Sequence, residues 1–167
     1  MSLPPSLPSL GADRFREGMS RVAGAVHVIT TDGESGRAGF TATAVAPVTD
    51  SPATLLICAN ATGRAARAAV RNKVLCVNTI GAGDRSLADI FAGRAGVDGP
   101  ARFEAGDWDL LVTGAPALRS ALVSFDCRIV EARLVSTHEI IIAEVEAVRL
   151  GPADRALLYL GRDYTAL

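Results

Sequence analysis

Between residues 25 and 160 the sequence returns at least six times to a short apolar run, each closed by turn residues. Residues 25–31 are β-rich, and Asp32-Gly33-Glu34-Ser35-Gly36 follows with turn chemistry. Residues 37–48 predict a second strand, paired with the first as a hairpin and ended by Thr49-Asp50-Ser51-Pro52. Further strands are predicted over 54–59, 73–80, 121–134, 139–150 and 157–160. Helices are fewer. Phe15, Met19 and Val22 recur at helical spacing and predict one over 12–23. An alanine-rich stretch carrying Arg64, Arg67 and Arg71 predicts another over 62–71. Leu87, Ile90 and Phe91 form the apolar face of a third over 84–92, and residues 93–116, around the single Trp108, read as a loop. Strands joined by turns, with no helix alternating between them, argue against a doubly wound parallel sheet. They predict a mainly β, closed or nearly closed antiparallel barrel with a few flanking helices.

A chain of 167 residues with 49% hydrophobic residues can bury one core. Aromatics are only 5%, so Ala, Val, Leu and Ile must fill it. The expected organisation is a flexible arm over residues 1–11, which holds three prolines, and a single domain over 12–167. The first residues have neither a basic region nor an apolar core, so no signal peptide is expected and the expected compartment is the cytoplasm. Apolar runs such as Ile140-Ile141-Ile142-Ala143 are too short to span a membrane. Seventeen basic against eighteen acidic residues leave no basic stripe for nucleic acid or a membrane surface. Cys58, Cys76 and Cys127 are odd in number and widely spaced, which reads as small buried hydrophobes rather than a disulfide or zinc framework.

Hydrolytic and metal chemistry lack their parts. There is no GxSxG, HExxH or phosphate-loop motif, and two histidines, His27 and His138, cannot build a multi-histidine metal site. Gly81-Ala82-Gly83-Asp84-Arg85-Ser86 begins like a dinucleotide fingerprint but lacks its last glycine and its βαβ setting, and reads as a turn and helix start. Two segments are more suggestive. On a strand, Gly39-Phe40-Thr41-Ala42-Thr43-Ala44-Val45 puts Thr41 and Thr43 on one face and Ala42 and Ala44 on the other. Small side chains there let a flat ligand approach the backbone; an ordinary Thr-rich strand is the plainer alternative. Asn60-Ala61-Thr62-Gly63-Arg64 then enters the alanine-rich helix, where free amides, Thr62 and Arg64 could hold a phosphate. Helix capping by Asn60 or Thr62 is the simpler reading of the same residues. Read alone, His138 is a half-buried strand histidine, and Arg162 and Tyr164 are surface residues near the terminus.

Several segments stand in an order and spacing that together carry a family likeness. They are Phe15-Arg16-Glu17-Gly18-Met19, Val28-Ile29-Thr30-Thr31-Asp32-Gly33, Gly39 to Val45, Ser51-Pro52 and Leu75-Cys76-Val77-Asn78. From about Phe15 to Tyr164 the chain resembles the flavin reductase family with the FMN-binding split barrel. Within it, the likeness is greatest to reductase components of two-component flavin monooxygenases, including those of hydroxyphenylacetate oxidation and pyrimidine utilisation. Ala121-Leu122-Val123-Ser124-Phe125-Asp126-Cys127-Arg128-Ile129 favours the second. The resemblance implies a six-stranded antiparallel split barrel, usually homodimeric, with flavin near the subunit interface. Phe40, Thr41, Ala42, Thr43, Ala44 and Phe91 would then line the flavin ring, and Asn60, Ala61, Thr62, Gly63 and Arg64 would approach its ribityl phosphate. His138, Tyr159, Arg162 and Tyr164 would flank the nicotinamide. Ser136 departs from the pattern, standing where glycine is usual before Thr-His.

The implied activity is hydride transfer from NADH to FMN or FAD, with reduced flavin passed to a partner monooxygenase. No protein acid, base or metal is needed, because the flavin carries the chemistry. Three other readings stay open: a flavoprotein electron carrier, a non-catalytic module for another planar cofactor such as heme, and a reductase acting on another acceptor such as a cobalt corrin.

Overall fold

Which strands can pair is decided here by a very short connection. In the computed structural model, which describes residues 10–167, strand β3 (Ala38–Ala42) and strand β4 (Val45–Asp50) are separated only by Thr43 and Ala44. Together with β2 (His27–Thr31), β5 (Ala53–Asn60), β6 (Val74–Thr79), β9 (Val123–Val135) and β10 (His138–Leu150) they form one antiparallel sheet in the order β3-β2-β6-β9-β10-β5-β4. The strands on either side of the two-residue joint are thus its opposite edges. Laid flat, seven strands would hold those edges roughly 29 Å apart. Three peptide steps from Ala42 to Val45 span at most about 11 Å. The sheet must therefore roll up. β3 and β4 do not pair, so the barrel stays split along that seam.

Two smaller sheets and three helices complete the described residues. β1 (Gly24–Ala25), β11 (Leu157–Leu160) and β12 (Asp163–Ala166) form one sheet, and β7 (Trp108–Leu110) pairs with β8 (Pro116–Leu118) in the other. The helices are α1 (Ala12–Ser20), α2 (Arg64–Asn72) and α3 (Arg85–Phe91), with 3-10 turns at Ala82–Asp84 and Gly99–Glu104. Because both faces of the sheet are covered around β2, that strand is buried at every position. Ile29 faces the barrel interior with Leu55, Ile57, Leu75, Val77 and Ile141. Val28 packs on the other side with Val26, Ile80, Leu87, Phe91 and Leu118.

One buried amide ties these layers together. Asn78 on β6 is fully buried, and its Nδ2 donates to the Val28 carbonyl (3.0 Å) and to Thr30 Oγ1 (3.2 Å). Its Oδ1 accepts from the Leu118 amide (2.8 Å) and the Ser124 hydroxyl (2.9 Å). β2, β6, β8 and β9 thereby meet at one side chain. Asp126, also fully buried, accepts the Val112 and Thr113 amides at 2.7 Å and secures the segment leading to β8.

The mainly β antiparallel architecture matches the sequence reading, with four differences. The strand expected over 37–48 is two strands, because the chain turns at Thr43–Ala44 to pass from one sheet edge to the other. The principal sheet accordingly has seven strands rather than six. The loop expected over 93–116 contains a 3-10 turn, β7 and the start of β8, held by edge-to-face contacts among Phe91, Phe103 and Trp108. β12 was not anticipated; it returns from β11 through Gly161 (φ 62) and Arg162 (φ 67), the two positive φ values of a type I′ turn. The arm expected over 1–11 lies outside the described residues, apart from Leu10 and Gly11. Cys76 and Cys127 are buried as expected; burial pushes both thiols up, Cys127 to about 12, with the Asp126 charge adding in the same direction.

Two outcomes follow for stability. Asn78→Ala leaves the Leu118 amide and the Ser124 hydroxyl without their acceptor. Each unsatisfied group costs about 1–3 kcal/mol, so chemical denaturation should show a loss of at least about 2 kcal/mol. His27, buried with Nδ1 3.0 Å from Thr79 Oγ1, has its pKa lowered by burial from 6.5 to about 4. The unfolded chain therefore takes up this proton first as pH falls. Stability contributed by neutral His27 is complete above pH 6.5, declines between 6.5 and 4, and is level below. At about 1.4 kcal/mol per pH unit the loss approaches roughly 3 kcal/mol. Melting curves of His27→Gln should lack this component across that window; identical pH profiles would refute it.

Candidate functional site

The seam between the two sheet edges opens into a cavity of about 380 Å³. Its walls come from Phe40 to Ala44 at the seam, Cys58 to Asn60 at the end of β5, the start of α2, and Phe91 and Ala92 closing α3. His138, heading β10, stands at its edge. Small residues make this space: Ala42, Ala44, Ala59, Gly63, Ala65 and Ala66 all line it. Thr43, Ala44, Asn60 and His138 are solvent-exposed, so the cavity is an open slot rather than an enclosed chamber. Behind it, Phe91 is 1% exposed and locked against Phe103 and Trp108. Gly39 permits that packing, since a Cβ there would lie 2.7 Å from the Phe91 ring.

The hydrogen-bonding groups of the slot sort into used and free. Thr41 gives its hydroxyl to the Ala88 carbonyl (2.7 Å), anchoring β3 to α3, and so is not a free donor. The Thr43 and Ala44 carbonyls accept from Val45 (3.0 Å) and Cys58 (2.9 Å). Among the described residues neither Thr43 nor Ala44 donates its own N–H to a backbone carbonyl. The seam therefore offers amide donors beside small side chains.

The start of α2 is open in the same sense. Its N-cap is Gly63, with no side-chain cap; the Asn60 carboxamide instead accepts from the Thr62 amide (2.9 Å) and hydroxyl (2.8 Å). The capping alternative drawn from the sequence is therefore not what these residues do. The first amides of the helix remain for an anion. Ala61 and Thr62 support the turn from below, Ala61 donating to the Thr137 carbonyl (3.0 Å), and line neither cavity.

Beyond Phe40, Gly63 and Ala65 a second cavity of about 480 Å³ adjoins the first. Arg37, Arg64, Arg67, Arg71 and Arg102 line it, against a single carboxylate, Asp98. Of these, the sequence motif at the helix start points to Arg64 alone. Arg67 and Arg71 follow at i+3 and i+7 on one helix face, a signal that was read only as helix propensity. Arg37 and Arg102 converge only through the fold. Half-buried Cys58 in the slot was also missed, having been grouped with the core cysteines.

The four residues assigned to the nicotinamide do not share one cavity within a single chain. His138 lines the slot, is exposed rather than half-buried, and has Nδ1 2.9 Å from Thr137 Oγ1. Ser136 just before it adopts φ 55, which explains in backbone terms why glycine suits that position. Tyr159 and Tyr164 pack edge-to-face behind Phe91. Tyr164 is 7% exposed, with the Arg85 and Arg94 guanidiniums 5.4 and 5.5 Å from its ring centre, so it is no simple surface residue. Arg162 pairs with Glu17 (3.0 Å) over a separate shallow depression beside α1.

An apolar, small-residue slot with free amides, running into a helix start and arginines, fits a flat heteroaromatic ring that carries phosphate. Comparison with known proteins identifies the family. Residues 19–167 match the family described as flavin reductase like domain. The FMN reductase (NADH) RutF of Methylorubrum populi is 53% identical over 156 residues, covering 93% of this chain and 76% of that protein. A Haemophilus somnus structure assigned to the flavin reductases superposes with a TM-score of 0.90 at 43% identity, covering 95% of this chain and all of that one. The NADH:FAD oxidoreductase SgcE6 of Streptomyces globisporus superposes with 0.86 at 26% identity, covering 98% and 99%. On sequence and fold, the chain belongs to the flavin reductase like domain family.

Proposed function

We propose that this protein is an NADH-dependent flavin reductase, an oxidoreductase that takes FMN or FAD and supplies reduced flavin to a partner monooxygenase. The observation that carries this reading is the continuity of the small-residue seam with the uncapped start of α2. Ring and phosphate of one mononucleotide have adjoining places there. When bound, the flavin supplies the hydride-accepting chemistry. The chain's own part is binding and orientation. Ala42 and Ala44 leave room against the backbone, the Thr43 and Ala44 amides offer donors, and Phe91 forms a rigid floor. Gly63 and Arg64 meet the phosphate, and His138 at the slot's rim positions the nicotinamide. Holding two rings in register and excluding water between them is where such a protein gains rate.

The openness of the slot supports a flavin that exchanges with solvent, as delivery to a separate oxygenase requires. A homodimer is part of the same proposal. Val48, Val130, Leu134 and Val135 on the principal sheet and Phe15, Met19 and Val22 in and just after α1 are between 45% and 65% exposed. Large apolar side chains exposed on these elements support cover by a second copy of the chain. Tyr159 and Arg162, set apart from His138 within one chain, would then serve a nicotinamide only in the assembled dimer, with buried Tyr164 packed behind Tyr159.

NADH consumption by the pure protein should depend on added FMN, FAD or riboflavin; none above background with any of them would refute the reductase reading and favour an electron carrier. His138→Ala should raise the KM for NADH roughly three- to tenfold, the worth of one hydrogen bond, with flavin affinity within twofold. Because His138 is exposed, its melting temperature should not move. A lowered melting temperature with an unchanged NADH saturation curve would make it a structural residue instead.

A further inference from the structure

β3 is one edge of the seam, so it pairs with β2 and with no strand on its other side. An edge strand keeps its place only if something else engages its free side. Arg102, in the 3-10 turn Gly99–Glu104, does this for β3. Its Nη1 donates to the Gly39 carbonyl (3.2 Å) and to the Phe91 carbonyl (3.3 Å), and its Nε donates to the Val97 carbonyl (2.9 Å). Phe91 ends α3, where the last carbonyls have no helical partners. The Ala88 carbonyl accepts from the Ala92 amide and the Thr41 hydroxyl, that of Asp89 from Arg94, and that of Ile90 from Gly93. The Phe91 carbonyl is left to Arg102. The next residue, Phe103, meets the Phe91 ring edge-on with centroids 5.1 Å apart. Two consecutive residues therefore hold Phe91, one by its backbone and one by its ring.

Arg102 lines the arginine cavity and not the slot, yet two walls of the slot hang on it. Phe40 to Ala44 run on directly from Gly39, and Phe91 closes the back. Arg102 also differs from the arginines of α2. Its side chain is 16% exposed, its Nη2 lies 3.5 Å from Asp98, and three carbonyls occupy its other donors. Arg64, Arg67 and Arg71 are exposed. A guanidinium committed in this way is not held in reserve for an anion. We propose that Arg102 is a positioning residue for the flavin ring: its planar fork fixes the seam edge of β3 against the end of α3, and so sets the width of the slot. The proposal rests on the flavin reading of the slot. Lysine does not reproduce the arrangement, because a single ammonium lacks a rigid fork aimed at three separate segments.

Riboflavin, which has no phosphate, reports ring placement alone, so titrating the full-length protein with riboflavin and with FMN separates positioning from charge. Arg102→Ala and Arg102→Lys should each weaken riboflavin about tenfold, the worth of one charge-assisted contact, and weaken FMN by the same factor within twofold. Millimolar guanidinium, entering the space that Arg102→Ala opens beside the cavity, should restore most of the riboflavin affinity and leave the unaltered chain unchanged. Melting curves of each variant set a titration temperature at which all are folded; if Arg102→Ala does not fold, Arg102→Lys carries the same comparison. Weakened FMN with unchanged riboflavin would make Arg102 a phosphate contact and overturn the proposal. Full retention of both affinities by Arg102→Lys would show that charge suffices, and would overturn it too. So would a lowered melting temperature with both affinities unchanged, or guanidinium restoring stability without affinity, since Arg102 would then hold the fold and not the ring. Binding of neither flavin by the unaltered chain would overturn the slot and this role together.

Discussion

The Asn78 carboxamide supplies the constraint on which the other parts of this structure depend. It sits where the rolled sheet meets the layer formed by β8 and α3, a junction that apolar side chains alone would allow to slide. A buried amide must find two donors and two acceptors or lose several kcal/mol. Here Val28 and Thr30 accept from it while Leu118 and Ser124 donate to it, so four strands are held in one register. With β2 fixed, β3 is fixed beside it, and α3 is drawn onto β3 through Thr41 and the Ala88 carbonyl. Phe91 then closes the back of the slot.

How far the sequence discloses this fold depends on whether its signals are local. β-branched runs and turn residues are local, and they place the principal strands within a residue or two. The joint at Thr43–Ala44 has no such signal. Thr-Ala-Thr-Ala-Val continues as good strand sequence, and only barrel closure demands that it bend. β12 was missed for a different reason. Its turn, Gly161-Arg162, puts arginine in a left-handed conformation that composition does not advertise, although the alternation of Tyr159 and Tyr164 around it is visible in retrospect.

The site divides along the same line. The small-residue strip and the glycine before α2 were legible because the chemistry requires particular residue types next to one another. That Asn60 folds back onto Thr62, leaving the helix uncapped, follows from a turn geometry that sequence does not specify. Arg37 and Arg102 reach their cavity from segments 65 residues apart, one beside β3 and the other in the 3-10 turn packed on it. Only the rolled sheet makes them neighbours. The nicotinamide residues were grouped through family likeness, and the fold separates them because α1, β11 and β12 form their own corner of the molecule.

The irregularities of β9 and β10 acquire a meaning in this light. Their pairing shifts register between Ile142 and Ala143 and again between Val145 and Ala147, and such bulges sharpen the local twist and bend of a sheet. These two strands are the fourth and fifth of the seven in sheet order, so neither is an edge of the seam. Curvature introduced there is carried outward and sets how closely β3 and β4 approach. The gauge of the slot is thus written into strands that never border it as a whole. Adding or erasing a single bulge residue would change the breadth of the slot without replacing a side chain that lines it.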